Sequence, residues 1–268
     1  MKILYLGDIM GPMGIQAVKK FLPQIEKLHK PDLIITQAEN VTNGKGISNR
    51  DYKLLKGLGV NGFTGGNWTM HNKEIFPALN QADEPIVRPA NYPIGTQGKP
   101  YKILQAPAGA VLLVSLLGSI VGKDSDAQTD NPLKTIDAIL SETKHINFAA
   151  KLVNFHGDFS SEKRVIGYYL DGRVSMVVGD HWHVPSADAM VLPNGTAHIS
   201  DVGMCGSLHS SLGVELDVII SRWRDGKVQP NKLESSGPLQ INAVLVDVNT
   251  KSGLADNIQS INFKNQLT

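Results

Sequence analysis

Short apolar runs alternate with segments of helical periodicity along most of this 268-residue chain. The pattern predicts strand–helix pairs at residues 2–7 with 15–29, 32–38 with 48–58, 59–64 with 72–80, and 149–155 with 161–170. Pro23 predicts a kink in the first helix or a late start, because proline lacks the N–H that a helix interior uses. Strands that are each followed by a helix are typical of an α/β architecture.

The remaining segments predict a second sheet. Further strands are expected at 102–105, 110–117 and 174–179, helices at 132–145 and 214–224, and a polar loop at 118–131. Residues 187–199 predict a hairpin around Pro193-Asn194-Gly195, and residues 239–263 predict a second antiparallel pair. With no internal repeat or linker in view, we expect one domain over residues 1–268, in which two sheets lie between helices.

Side chains that can bind a metal ion lie at the ends of the predicted strands. They are Asp8, Glu39 and Asn67 in the first half of the chain, and His156, His181 and His183 in the second. In open α/β sheets, ligands bind outside the carboxyl ends of the strands. Five predicted strands therefore bring such side chains to one edge. Chance does not readily place so many there, so the pattern favours a shared metal site.

His181 and His183 flank Trp182. In an extended backbone, residues i and i+2 point to the same face, so both imidazoles could reach one metal ion or two neighbouring ions. Trp182 is then expected to point the opposite way, toward the core. The motif alone is weak evidence for a metal site and is more typical of two surface histidines on a loop.

The acidic and amide candidates also have plainer interpretations. A buried carboxylate is costly unless it is paired, and a metal pair would neutralise Asp8 and Glu39. Each could instead cap a helix, and Asn67 could stabilise a turn. Carboxylate, amide and imidazole ligands without thiolate suit iron, manganese, zinc or cobalt. Two such ions about 3.5–4 Å apart commonly hydrolyse phosphate esters.

Composition restricts the partners and the compartment. The net charge of +1 predicts neither stable nucleic-acid binding nor attraction to a membrane surface. The most apolar run, residues 110–122, is shorter than the roughly 20 residues that a membrane helix needs. The single cysteine, Cys205, fits a reducing compartment, and we expect a cytoplasmic protein.

Several stretches together resemble the YmdB-like family of calcineurin-superfamily metallophosphoesterases. They are MKILYLGDIMG, AENVTNGKGIS, GFTGGN, VRPANYPIGT, NFHGDFSSEK, GYYLDGRVSMVVGDHWHVPSAD, LPNGTAHISDVGM and LQINAVLVDV. The resemblance implies a four-layer α/β/β/α sandwich with mixed sheets. It also implies a phosphodiesterase that cleaves cyclic nucleotides such as 2′,3′-cyclic AMP through a metal-bridging hydroxide, and it makes a homo-oligomer plausible.

The resemblance further implies two metal ions, iron, manganese or zinc. Asp8, Glu39, Asn40 and His183 would hold one ion, and Glu39, Asn67, His156 and His181 the other. Glu39 would then bridge the pair.

One position departs from the family pattern. The family's Gly-Asn-His, whose histidine is assigned as proton donor, is Gly66-Asn67-Trp68 here, and an indole cannot act as a general acid near neutral pH. His71 could substitute if the loop bends back, although a surface histidine is the plainer interpretation. The alternative function is a weakly active or inactive nucleotide-binding regulatory protein, in which Trp68 stacks on a base.

Overall fold

Two β-sheets lie face to face between helices in the computed structural model, which describes residues 1–121 and 128–265. The strands are β1 Lys2–Leu6, β2 Asp8–Ile9, β3 Leu33–Gln37, β4 Gly62–Thr64, β5 Tyr101–Ala106, β6 Gly109–Leu117, β7 Ala150–His156, β8 Met176–Asp180, β9 Met190–Val191, β10 Ala197–Ile199, β11 Met204–Ser207, β12 Leu239–Asn249 and β13 Leu254–Lys264. The helices are α1 Gly11–His29, α2 Asn49–Gly57, α3 Phe76–Asn80, α4 Pro132–Glu142, α5 Ser160–Tyr169 and α6 Leu216–Asp225, with a 3₁₀ turn at Lys73–Ile75.

Both sheets are mixed, and each contains a group of neighbouring parallel strands. In the first sheet β1, β3 and β4 run parallel, and β12 pairs antiparallel with β1, β11 and β13. The short β2 pairs parallel with β11. In the second sheet β6, β7, β8 and β10 run parallel, and β5 and β9 close the two edges in antiparallel pairing.

Alternating side chains of these strands bury three apolar layers. Leu4 and Leu6 of β1 pack with α1 and α2, whereas Ile3 and Tyr5 face the second sheet. The outer face of the second sheet packs against α4 and α5. The predicted four-layer α/β/β/α sandwich with mixed sheets is therefore confirmed.

The first helix corrects the predicted boundary. It begins at Gly11, with Pro12 in its first turn, and continues through Pro23 without ending. Pro23 is exposed, while Phe21, Leu22 and Ile25 are buried on the opposite side. Packing of that apolar face offsets the hydrogen bond that the proline removes.

Other local predictions hold or gain detail. Ser48 caps α2 by accepting a hydrogen bond from the backbone N–H of Asp51 at 3.2 Å, as the spacing predicted. The hairpin at 187–199 is formed by β9 and β10, and the pair at 239–263 by β12 and β13. Residues 122–127 of the predicted loop lie outside the described residues; the flanking residues 118–121 and 128–131 are in neither helix nor strand.

Within residues 1–121 and 128–265, no helix combines the length and apolar character that a membrane span requires.

Candidate metal centre

The strand ends bring all seven candidate ligands together. Asp8 stands just past the end of β1, Glu39 and Asn40 come after β3, and Asn67 comes after β4. On the second sheet, His156 is the last residue of β7, and His181 and His183 follow β8. Because these strands are parallel neighbours within each sheet, their carboxyl ends meet at one edge of the sandwich.

A first cluster converges on one ring nitrogen. His156 Nε2 lies 2.9 Å from Glu39 Oε1, from Asn67 Oδ1 and from His181 Nδ1. An imidazole nitrogen carries one hydrogen or one lone pair, so it cannot satisfy three such neighbours at once. The ligand atoms of Glu39, His156 and His181 all lie within 4.8 Å of one another, a group that could hold a metal ion.

A second cluster surrounds Asp8. Its Oδ2 accepts a hydrogen bond from Asn40 Nδ2 at 2.7 Å and lies 3.1 Å from His183 Nε2. Asn40 Nδ2 is also 3.5 Å from Glu39 Oε1, which connects the two clusters. Rotating the Asn40 side-chain amide by 180° would exchange its nitrogen and oxygen, and the oxygen is the atom that can bind a metal ion.

The second carboxylate oxygen of Asp8 supports a cation at this place. Oδ1 is buried and has no hydrogen-bond partner among the described residues. Burial raises the pKa of Asp8, against the opposing effect of His183. An unsatisfied carboxylate oxygen in the interior costs free energy that a bound cation would offset.

The pKa values of His181 and His156 are shifted in opposite directions, which affects how each ring can bind a metal ion. Burial and the neighbouring His156 lower the pKa of His181 to about 4, so its ring is neutral at neutral pH and offers a lone pair. Burial also opposes charge on His156, but Glu39 and Asp180 outweigh it and raise the pKa of His156. His156 Nδ1 lies 2.5 Å from Asp180 Oδ1, which leaves Nε2 facing the cluster.

Asp180 is a site residue that the sequence reasoning missed. It is fully buried, and Tyr5 Oη and Asn154 Nδ2 donate hydrogen bonds to its Oδ2 at 2.9 and 2.6 Å. Burial disfavours its charge, but His156 lowers its pKa on balance. The signal was present in the sequence, because Asp180 follows Gly179 at a strand end just as Asp8 follows Gly7.

The segment with both histidines is not extended, which corrects the predicted geometry. β8 ends at Asp180, and the backbone takes positive φ angles of 110° at His181 and 63° at His183. Such angles are unfavourable for residues with a Cβ and persist only where surrounding contacts hold them. Trp182 is half-buried rather than core, and its Nε1 donates to the Asp158 carbonyl at 2.8 Å.

A buried ion pair holds this turn. Lys163 on α5 and Asp201 have fully buried side chains, and Nζ lies 2.8 Å from Asp201 Oδ2. Lys163 Nζ also donates to the Asp180 carbonyl at 2.6 Å and lies 4.0 Å from the ring centroid of Trp182. Asp201 Oδ2 in turn accepts from the backbone N–H of Trp182 at 2.8 Å. The pair thus fixes the backbone on both sides of His181.

Trp68 stands beside the first cluster. Its backbone N–H donates to Glu39 Oε2 at 2.9 Å, and its indole is half-buried with Lys45 Nζ 3.9 Å from the ring centroid. His71 is exposed and packs edge-on against the indole, with 5.6 Å between centroids. None of the described hydrogen bonds joins the His71 ring to Glu39 or His156, which favours its plainer role as a surface residue.

Two mixed sheets between helices, with carboxylates, amides and imidazoles gathered at the strand ends, define the metallophosphoesterase class of phosphatases. Within that class, the chain belongs to the family described as YmdB-like protein, whose family model matches residues 4–261.

Individual relatives cover almost the whole chain. A Bacillus subtilis (strain 168) protein called "2′,3′-cyclic-nucleotide 2′-phosphodiesterase" is 34% identical over 97% of this chain and 96% of its own. A crystal structure described as a novel phosphatase from Mycoplasma pneumoniae superposes with a TM-score of 0.90 at 30% identity, over 98% of this chain and 93% of that one. A hypothetical protein from Thermus thermophilus superposes with a TM-score of 0.88 at 35% identity, over 98% of this chain and 99% of that one.

Proposed function

We propose that this chain is a dinuclear metal-dependent phosphodiesterase that hydrolyses 2′,3′-cyclic nucleotides such as 2′,3′-cyclic AMP. One observation carries the proposal: two ligand clusters meet at Glu39, and the Asp8 Oδ1 atom beside them is buried without a partner among the described residues. The name of the Bacillus subtilis relative supports the substrate class. Membership of the YmdB-like family supports the reaction type.

Each cluster would hold one cation. Asp8, Asn40 and His183 would form one ligand set, Asn67, His156 and His181 the other, with Glu39 between them. Iron, manganese or zinc suits these ligands. When bound, such a pair activates water and offsets the negative charge of the phosphoryl oxygens.

The chain's own residues orient this chemistry. Asp180 fixes the ring of His156 so that Nε2 faces the cluster, and Lys163 fixes the turn that precedes His183. The Trp68 indole, next to Glu39, has no proton that it can give to a leaving oxygen. We therefore expect turnover to depend on solvent for that proton and to be slow.

A second candidate function is a regulatory protein that binds nucleotides and turns them over weakly or not at all. The half-buried Trp68 indole favours it, because aromatic rings stack on nucleobases. The two clusters of potential metal ligands favour catalysis, because a protein that only binds a nucleobase does not need them.

Hydrolysis of 2′,3′-cyclic AMP by the manganese-reconstituted chain, followed by ³¹P NMR, tests the proposal. We expect turnover by the wild type and a loss of at least about 10³-fold in Glu39→Gln, because Glu39 joins the two ligand sets. Glu74→Gln, a change at an exposed glutamate, is the matched control and should retain full activity. A wild type that binds metal and nucleotide without cleaving the ester would establish the regulatory function instead.

A further inference from the structure

A cavity of about 600 Å³ opens beside the metal centre, between α5 and the residues that lead into α4. Its floor includes Leu117 and Phe155, at the ends of β6 and β7. The volume lies within the range of about 300–1,000 Å³ that is usual for small-molecule sites. It is large enough for a nucleoside.

The cavity is continuous with the ligand clusters. Asn67 lines it, and the Oδ1 atom of the same residue lies 2.9 Å from His156 Nε2. Leu117 pairs with His156 across β6 and β7, and the N–H of Gly118 donates to the His156 carbonyl at 2.8 Å. A substrate whose phosphoryl group lies at the metal centre can therefore extend into this cavity.

The apolar walls suit a flat ring. Leu117 and Phe155 are almost fully buried beneath the cavity, and Leu133 from α4 and Val165 from α5 face it from two sides. Burying both faces of a planar base between such side chains removes apolar surface from water, which is the main source of affinity in sites of this kind.

The polar groups select the kind of ring. Asp130 and Glu162 line the cavity, and among its described lining residues none is lysine or arginine. The two acidic side chains disfavour a second phosphate through like-charge repulsion. Glu162 accepts hydrogen bonds from Ser119 N at 2.8 Å and Ser119 Oγ at 2.7 Å, and each carboxylate oxygen retains a lone pair for another donor.

We propose that this cavity binds the nucleobase of the substrate and favours a base with an exocyclic amino group, such as adenine. The inference rests on the proposed function, because the metal centre must receive the phosphoryl group of the same molecule. A base without that amino group, such as uracil, leaves the Glu162 carboxylate with fewer donors to accept from.

The first test fills the cavity without touching the ligand clusters. Val165→Trp is placed on a half-exposed side chain, and Val228→Trp, at an exposed valine elsewhere, is the matched control. We expect Val165→Trp to raise KM for 2′,3′-cyclic AMP about tenfold. Its hydrolysis of glycerol 1,2-cyclic phosphate, which has no base, should stay within twofold of wild type. Equal KM values in all three proteins would overturn the inference and leave the proposed function standing.

The second test concerns the carboxylate. We expect wild type to prefer 2′,3′-cyclic AMP over 2′,3′-cyclic UMP by about tenfold in kcat/KM, and Glu162→Gln to reduce this preference to about twofold. A preference unchanged in Glu162→Gln would contradict the assigned selectivity. If wild type cleaves neither nucleotide, the proposed function fails. Calorimetric binding of 3′-AMP, which cleavage of the 2′-ester bond would leave, to wild type and to the Val165→Trp and Val228→Trp variants then tests the cavity alone, and we expect only Val165→Trp to bind it more weakly. Binding by both variants with equal affinity, or absence of binding by wild type, would overturn it.

Discussion

Trp68→His should accelerate hydrolysis of 2′,3′-cyclic AMP by about 10²-fold, the lower end of what general acid catalysis contributes. The backbone N–H of Trp68 already bonds to Glu39 Oε2, so a side chain at this position begins beside the ligand clusters. An imidazolium there can protonate the leaving oxygen, which the indole cannot. The gain should shrink as the pH rises through the pKa of the new histidine, because only the protonated ring is an acid.

Trp68→Phe provides the control. It replaces the indole with a smaller ring that supplies no proton, and we expect no gain in kcat from it. Rates measured from about pH 5.5 to 8.5 on metal-loaded proteins, a range that spans the titration of an ordinary histidine, distinguish the two variants. Equal gains in both would show that relief of steric blockage, not proton donation, limits the wild type.

Lys163→Met should lower the free energy of unfolding by about 3–5 kcal/mol, because it leaves Asp201 as an unpaired carboxylate in the interior. Urea denaturation measures the loss. Lys53→Met, which removes an exposed lysine from α2, is the matched control and should change stability by less than about 0.5 kcal/mol.

The double variant Lys163→Met/Asp201→Asn separates stability from positioning. Removing both charges should restore about half of the lost stability, since the remaining asparagine is neutral. Manganese affinity should nevertheless stay about 10–100-fold below wild type, because the Asp180 carbonyl loses the Lys163 contact that fixes the start of the turn at His181. Wild-type affinity in the double variant would show that the ion pair serves the fold alone.

The sequence was most informative where burial is uniform. Strands such as β1 and β6 are nearly continuous apolar runs because packed layers cover both of their faces, so the run of apolar residues alone predicted them. β2 has two residues and β11 contains Met204-Cys205-Gly206-Ser207, too short and too rich in small residues to show a period. Their existence depends on pairing with distant strands, which no local pattern reports.

The residues of the candidate site that the strand topology places together were predictable from the sequence. The rule that strand ends meet at one edge predicted from the sequence that Asp8, Glu39 and His156 would lie close together. The supporting contacts were not predictable. Lys163 and Asp201 are 38 residues apart, and neither belongs to a motif that would signal their pairing. The positive φ angles at His181 and His183 likewise arise from these tertiary contacts, not from the residues themselves.

Metal stoichiometry tests the central claim most directly. The chain would be reconstituted with Mn²⁺, desalted and analysed by plasma mass spectrometry beside Asp8→Asn, which weakens one ligand set and leaves the other intact. We predict about two ions per chain in the wild type and about one in Asp8→Asn, in keeping with a two-metal centre. A wild type that retains one ion or none, or an Asp8→Asn variant that retains as many as the wild type, would contradict it.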